Sequence, residues 1–158
     1  MQYSTSPCAR GRRYENDYYR YHRRHPMDER TIVITIIDGD PAVRELYSLE
    51  LSARGYEVVT GDVESAEESI ARSKPNLVLL DPYDGSHYRW DVLAEIRRQN
   101  VELPILICLP FEMFVNDQDV GPADGCIVKS FEVSGLVSRV QSLLATKGPG
   151  RVPVKDER

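Results

Sequence analysis

From residue 31 onward the chain alternates short unbroken apolar runs with longer stretches whose apolar positions recur every three or four residues. Residues 31–37 are a near-continuous β-branched run, the pattern of a strand covered on both faces. Asp40-Pro41 supplies a helix start, with Asp as N-cap and Pro at the first helical position. Ala42, Leu46, Leu49 and Ala53 follow at helical spacing, Val43 widens the stripe, and Gly55 ends it. Residues 56–60 read as a second strand, and Val63, Ala66 and Ile70 as a weaker helical stripe stopped by Pro75. Leu77–Leu80 is a third strand that ends abruptly in Asp81, with loop residues Pro82, Asp84 and Gly85 after it. Trp90, Leu93 and Ile96 mark a third helix, and Pro104 opens a fourth strand, Ile105–Leu109. Residues 112–120 are polar and poorly periodic, which predicts a short or frayed helix. Residues 126–128 are a short fifth strand, and Val133, Leu136, Val137, Val140 and Leu144 form the clearest amphipathic helix of the chain.

Strands and helices alternating five times predict an α/β fold with a parallel sheet and helices on both faces. The flavodoxin-like, doubly wound five-stranded order 2-1-3-4-5 is the arrangement expected. In such sheets the working groups sit outside the carboxyl ends of the strands. Three polar features fall there: Asp38-Gly39-Asp40 after the first strand, Asp81 after the third and Lys129 after the fifth. In that order they converge. Carboxylates facing a lysine suit a divalent cation and a phosphoryl group: the cation takes hard oxygen ligands, and Lys neutralises phosphate charge. One Asp would be the nucleophile.

Composition changes the picture mainly at the ends. The chain has 158 residues, 41% of them hydrophobic and 28% charged, which fits one globular domain plus tails. Residues 1–29 are polar, Tyr- and Arg-rich and nearly free of aliphatic side chains, and are expected to be a disordered basic tail. Met27, just before the first strand, is a candidate natural start. The domain is expected over 30–146 and a flexible C-terminal tail over 147–158, with no second domain after it. Of the net charge of −5, residues 1–30 contribute +3, leaving −8 for the rest, which argues against a general nucleic-acid binder. Cys8, Cys108 and Cys126 lack metal-site spacing, and with two of them in apolar, strand-like runs they are expected to be reduced, buried thiols. With no apolar stretch long enough to cross a membrane and no apolar signal core, the expected location is the cytoplasm. His22, His25 and the loop residue His87 have no metal spacing or defined partner, and Trp90 reads as a packing residue.

The chain resembles the receiver domain of two-component response regulators over roughly residues 30–146. The carriers are Thr31-Ile-Val-Ile-Thr-Ile-Ile-Asp38-Gly-Asp-Pro41-Ala-Val-Arg-Glu-Leu46, Pro75-Asn-Leu-Val-Leu-Leu-Asp81 and Pro122-Ala-Asp-Gly-Cys-Ile-Val-Lys129-Ser-Phe131. Each motif is weak alone; their order and spacing are specific. The resemblance implies Asp81 as phosphoacceptor and Lys129 as the phosphoryl contact. It also implies Mg2+ held by Asp38, Asp81 and the backbone carbonyl of Tyr83. The departures fall in the same places. Gly39 stands at the family's second acid, Leu109 at the Ser/Thr ending the fourth strand, and Cys126 at the aromatic switch position. Ser130 replaces the proline after the lysine, and Gly85 with Tyr88-Arg89 replace the usual loop residues. Weak or absent Mg2+ binding is expected because Gly39 removes a direct ligand. Asp84 is a candidate replacement carboxylate, set against the alternative of an ordinary loop Asp.

Three functions follow. The first is a stand-alone receiver in a phosphorelay, phosphorylated on Asp81 and signalling by protein contacts. It is not an enzyme. Its partners are a histidine kinase or phosphotransfer protein and a downstream protein target, with a homodimer allowed and neither membrane nor nucleic acid expected. The second is a pseudo-receiver that docks partners without phosphorylation. The third is a haloacid-dehalogenase-like phosphatase, because Asp38-Gly39-Asp40 is similar to that family's opening motif. Ala42, the absence of late paired acids and the lack of a cap domain weigh against it.

Overall fold

Five short apolar runs pair side by side into one parallel sheet in the order β2-β1-β3-β4-β5. The computed structural model describes residues 31–110 and 117–147. The chain divides into residues 1–31 and 32–158, and the fold is that of the second unit. The expected tail at 1–29, the candidate start at Met27, residues 148–158 and most of the polar stretch before residue 117 lie outside the described residues.

The strands are β1 (Val33–Ile37), β2 (Glu57–Gly61), β3 (Leu77–Leu80), β4 (Ile105–Leu109) and β5 (Gly125–Val128). The helices are α1 (Pro41–Ser52), α2 (Ala66–Ser73), α3 (Trp90–Gln99), α4 (Asp117–Val120) and α5 (Ser134–Lys147). β3 and β4 match the apolar runs residue for residue, while β1 begins two residues later than its run. α4 has four residues, as its weak periodicity implies. α5 includes Lys147, the residue at which the C-terminal tail was expected to begin.

Alternation along the strands sorts the core into two layers. Ile37, Val78, Leu80, Ile105, Ile107 and Leu109 face one way, against Ile70 of α2 and Leu93 and Ile96 of α3. Ile34, Ile36, Leu77, Leu79, Leu106 and Cys108 face the other way, against α1 and α5. A continuous apolar run is needed here because both faces are covered. Fully burying one such aliphatic side chain stabilises by about 1.5–3 kcal/mol.

α1 starts as its sequence dictates. Asp40 is extended, its carboxylate accepts the Ala42 N–H at 2.9 Å, and Pro41 opens the helix. Its buried face is not the expected one. Tyr47 and Leu51 are buried, whereas Leu49 is 65% exposed. Val43, Tyr47 and Leu51 repeat at i, i+4 and i+8, so the true stripe lies beside the one drawn through Ala42 and Leu49. Past the helix, Gly55 (φ 88°) makes the left-handed turn into β2.

The lower rim of the sheet, away from the strand ends that carry Asp38 and Asp81, is held by Arg97. Its guanidinium donates to the carbonyls of Asn100, Val101, Leu103 and Pro122 and to Asp124 Oδ2 at 2.6–3.1 Å. Asp124 also accepts from the Ile105 N–H at 2.8 Å and from Lys147. Burial acts to raise the Asp124 carboxyl, but Lys147, the Ile105 N–H and Arg97 together hold it below the ordinary value.

Candidate functional site

Three candidate side chains, Asp38, Asp81 and Lys129, sit one residue beyond three strand ends, and the ladder itself places them. Ile37 pairs with Leu80, so β1 and β3 finish level, while β4 runs two residues past Ile107, the partner of Leu80, and ends level with β5 at Leu109 and Val128. Past these ends the hydrogen bonding continues for one more residue. The Asp38 N–H donates to Gly61 O at 3.0 Å, Asp81 N–H to Ile37 O at 2.8 Å, and Lys129 N–H to Leu109 O at 2.6 Å. The backbone is fixed where each side chain leaves it.

The side chains converge. Lys129 Nζ lies 2.6 Å from Asp38 Oδ2 and 2.5 Å from Asp81 Oδ2. The remaining carboxylate oxygens accept backbone donors: Asp38 Oδ1 from the Asp40 N–H at 2.8 Å, and Asp81 Oδ1 from the Tyr83 N–H at 3.0 Å. All four oxygens are therefore engaged. Asp38 and Asp81 are only 2% and 6% exposed. Burial favours the neutral form of Asp38 and outweighs the Lys129 hydrogen bond, so its pKa is raised. Burial also opposes the Lys129 charge, yet hydrogen bonds to Asp38 and Asp81 prevail and its pKa is raised too. The two shifts are compatible, because the ammonium has two carboxylates while Asp38 shares one ammonium with a like charge.

The Tyr83 carbonyl lies beside Gly39, next to Asp38 in the chain: a Cβ at Gly39 would meet only Tyr83 O, at 3.5 Å. Asp38, Asp81 and that carbonyl offer a small, all-oxygen donor set. Such a set fits a Mg2+ ion that keeps several waters. Among the described residues no group of three His, Cys, Asp or Glu could close on a metal. Asp84 does not fill the gap. Its Oδ1 accepts from the N–H groups of Ser86 and His87 and from Ser86 Oγ at 2.8–3.0 Å, tying the carboxylate into its own loop. The His87 and Ser86 bonds hold its pKa down at about 2.

Leu109 and Cys108 point to opposite faces of the sheet, Leu109 with Leu80 and Ile107, Cys108 with Leu106. Neither offers a hydroxyl at the end of β4, and burial pushes the Cys108 thiol up. Cys108 is buried as expected, but Cys126 is exposed, because β5 is an edge strand and Cys126 lies on its open side. Among the described residues no peptide is cis, that of Ser130 included.

Sequence reasoning gave two nearby residues no role. Tyr47 is buried below the site, within reach of the Ser130 backbone, and burial raises its pKa to about 12. Its i, i+4 spacing to Val43 and Leu51 was the available signal. Tyr88 belongs to a folded-back loop after Asp81. Tyr83 and Tyr88 form an antiparallel bridge with ring centroids 5.1 Å apart, and Tyr88 stacks on Trp90 at 5.5 Å. The recurrence of Tyr83, Tyr88 and Trp90 in one short loop was visible in the sequence.

A doubly wound parallel sheet with two acids and a lysine at the ends of β1, β3 and β5 defines the receiver class. The comparisons agree with it. The response regulator TrrA of Thermotoga maritima, solved in complex with Mg2+-BeF, matches at a TM-score of 0.67 and 30% identity. That match covers 72% of this chain and 100% of TrrA. TrrA in complex with the histidine kinase ThkA matches at 0.65 and 30% identity, over 72% of this chain and 99% of that one. The probable transcriptional regulatory protein TcrX of Mycobacterium tuberculosis is 30% identical over 125 residues, 77% of this chain and 53% of TcrX. No protein-family model matches. The chain belongs to the response-regulator family, and its described residues form that family's receiver fold. It spans about half the length of the curated relatives it matches. Among the described residues no helix is long and apolar enough to cross a membrane.

Proposed function

We propose that residues 30–146 act as a phosphorelay receiver that takes a phosphoryl group on Asp81 and signals through protein contacts. The observation that carries this reading is the single ammonium of Lys129 within 2.6 Å of both Asp38 and Asp81. Asp81 Oδ attacks the phosphorus of a phosphohistidine. The new O–P bond forms as the N–P bond breaks, and the imidazole nitrogen leaves with the electron pair. Transfer of this kind needs positioning and charge neutralisation more than further covalent chemistry. Lys129 is positioned to meet the phosphoryl oxygens, and the Tyr83 N–H holds Asp81 Oδ1 so that the carboxylate cannot rotate away. Asp38, Asp81 and the Tyr83 carbonyl are the residues that would hold Mg2+. When bound, the ion adds positive charge against the phosphoryl oxygens. Gly39 makes that binding weak.

The phosphoryl donor is a histidine kinase or phosphotransfer protein, as TrrA has ThkA. The acceptor of the signal is a protein, with a second copy of the chain among the candidates. The charge of −8 after residue 30 repels nucleic acid, and the cytoplasm is the setting for this chemistry. Chemical readings other than phosphoryl acceptance, a phosphatase built on Asp38 among them, have no support in the relatives compared.

Acetyl phosphate with millimolar Mg2+ tests the proposal by intact mass. A phosphoryl adduct on the wild type and none on Asp81→Asn is the expected result. Absence of any adduct overturns it and leaves a docking module that works without phosphorylation, the reading that Gly39, Leu109 and Cys126 favour.

A further inference from the structure

A phosphoryl group on Asp81 would present three acceptor oxygens, and the end of β4 offers them no donor. Leu109 stands there, 2% exposed, in the apolar layer with Leu80 and Ile107. Another donor stands on that same layer. Tyr88 packs against it from the loop after Asp81. That loop is closed on itself: the Arg89 N–H donates to Pro82 O at 2.8 Å, the Asp84 N–H to His87 O at 3.1 Å, and Tyr83 bridges Tyr88. The Tyr88 ring is held between Tyr83 and Trp90 at centroid distances of 5.1 and 5.5 Å. Of the two phenols, that of Tyr83 is committed to Gly85 O at 3.0 Å. The hydroxyl of Tyr88 makes no hydrogen bond among the described residues. A tyrosine hydroxyl, with an ordinary pKa of about 10, is a protonated donor at neutral pH.

We propose that Tyr88 is a phosphoryl ligand, its hydroxyl donating to an oxygen of the group on Asp81 in place of the donor that Leu109 does not supply. This rests on Asp81 being the phosphoacceptor. In the transfer from acetyl phosphate, the Asp81 oxygen bonds to phosphorus as the bond to acetate breaks, and acetate leaves with the electron pair. Charge on the phosphoryl oxygens is then met by Lys129 from one side and Tyr88 from the other. Hydrolysis runs through attack of water on phosphorus. Asp81 leaves as carboxylate and the water proton passes to solvent. The Tyr88 bond favours the adduct over its loss.

The test compares full-length wild type, Tyr88→Phe and Asp81→Asn. Phe keeps the ring stack and removes only the hydroxyl. Beryllofluoride binding with Mg2+ is followed by the fluorescence of Trp90, the one tryptophan of the chain. Tyr88→Phe is expected to weaken beryllofluoride binding about ten- to a hundredfold, the worth of one hydrogen bond to a charged group. It is expected to shorten the life of the acetyl-phosphate adduct and to leave both the melting temperature and the affinity for Mg2+ alone unchanged. Equal beryllofluoride affinity in wild type and Tyr88→Phe overturns the proposal. So does an equal loss of affinity for Mg2+ without fluoride, which would mark a structural role. If wild type takes neither adduct nor beryllofluoride, the phosphoacceptor reading of Asp81 fails, and this proposal falls with it.

Discussion

Gly39→Asp returns a carboxylate to the one position where the site lacks it, and the structure says how much should follow. A Cβ there touches only Tyr83 O, at an ordinary 3.5 Å, and Gly39 does not have a positive φ. The Cβ therefore enters without a clash, and the backbone needs no strained conformation. Its cost is electrostatic. Asp38, Asp81 and Lys129 sum to −1, and the substitution takes the cluster to −2. Two charges 5–6 Å apart at an effective dielectric of 20 interact by about 3 kcal/mol. Repulsion by two carboxylates and attraction by one ammonium leave one such contribution unbalanced. Water at the mouth relieves most of it, so without metal a loss of about 1 kcal/mol is expected. With Mg2+ the balance reverses. A carboxylate about 4 Å from a dication gains about 8 kcal/mol of bare attraction at the same dielectric, most of it returned as lost hydration. A net gain of about 1.5–3 kcal/mol corresponds to Mg2+ binding about ten- to a hundredfold tighter.

Two measurements check this together: Mg2+ titration by Trp90 fluorescence, and thermal melting with and without millimolar Mg2+. The variant should melt below wild type in chelator and above it in Mg2+, because binding to the native state stabilises in proportion to the logarithm of affinity. Mg2+ affinity within about threefold of wild type would refute the reasoning, since that difference is under 1 kcal/mol. It would mean that glycine at position 39 is not what weakens the site.

Lys129→Met strands two buried carboxylates, and a loss of about 3 kcal/mol at pH 7 is expected from urea unfolding. The loss should shrink on acidification: Asp38 already has a raised pKa, so the folded variant binds protons more readily than the unfolded chain and gains stability as pH falls through that value. A loss below about 1 kcal/mol would contradict the charge balance drawn for the site. Arg97→Met removes every donor of the lower-rim clasp and should cost about 2–4 kcal/mol, with Arg97→Lys recovering less than half because one ammonium cannot reproduce the fork. The lowered pKa of Asp124 contributes stability that is present above the unfolded carboxylate value of about 3.9 and is lost as pH falls through the folded value. The stability gap between wild type and Asp124→Asn should accordingly narrow in acid, and a gap independent of pH between neutrality and pH 2 would refute it.

What the sequence made legible follows from how far each interaction reaches along the chain. β3 and β4 were readable to the residue because each is a continuous apolar run bounded by hard punctuation, Pro75 and Asp81 for one, Pro104 for the other. The convergence of Asp38, Asp81 and Lys129 needed only the strand order and the rule that ligands gather at carboxyl ends. The face of α1 was misread because Tyr47 counts as half polar on any hydropathy scale. In place, it buries its ring and keeps its hydroxyl near the Ser130 backbone. The Arg97 clasp was invisible: it joins Arg97 to Pro122 and Asp124, 25 and 27 residues away, and no local pattern announces it. Asp84 looked like a free carboxylate since its loop bonds to Ser86 and His87 exist only once Gly85 takes its positive φ.

The departures from the family pattern have one physical consequence in common: they concentrate on Lys129 work that a receiver otherwise divides. A second acid at position 39 would make the site more negative and lower its stability without a cation. With glycine there, one ammonium between two carboxylates, and a backbone donor on each remaining oxygen, balance the apo site. A phosphoryl group disturbs that arrangement. It takes an oxygen of Asp81, brings new negative charge, and competes with Asp38 for the same three N–H bonds of Lys129. The Lys129 backbone is fixed to Leu109 O at 2.6 Å, so the ammonium can follow the phosphoryl group only by giving up part of its bond to Asp38. Asp38 is then a buried carboxylate short of a donor, which is costly unless a cation or a proton arrives. On this reading, phosphorylation of Asp81 and Mg2+ binding are expected to be coupled through one side chain. Mg2+ held weakly before transfer should be held more tightly after it. Comparing Mg2+ affinity with and without beryllofluoride measures that coupling directly, and equal affinities would show that Lys129 serves Asp81 and Asp38 independently.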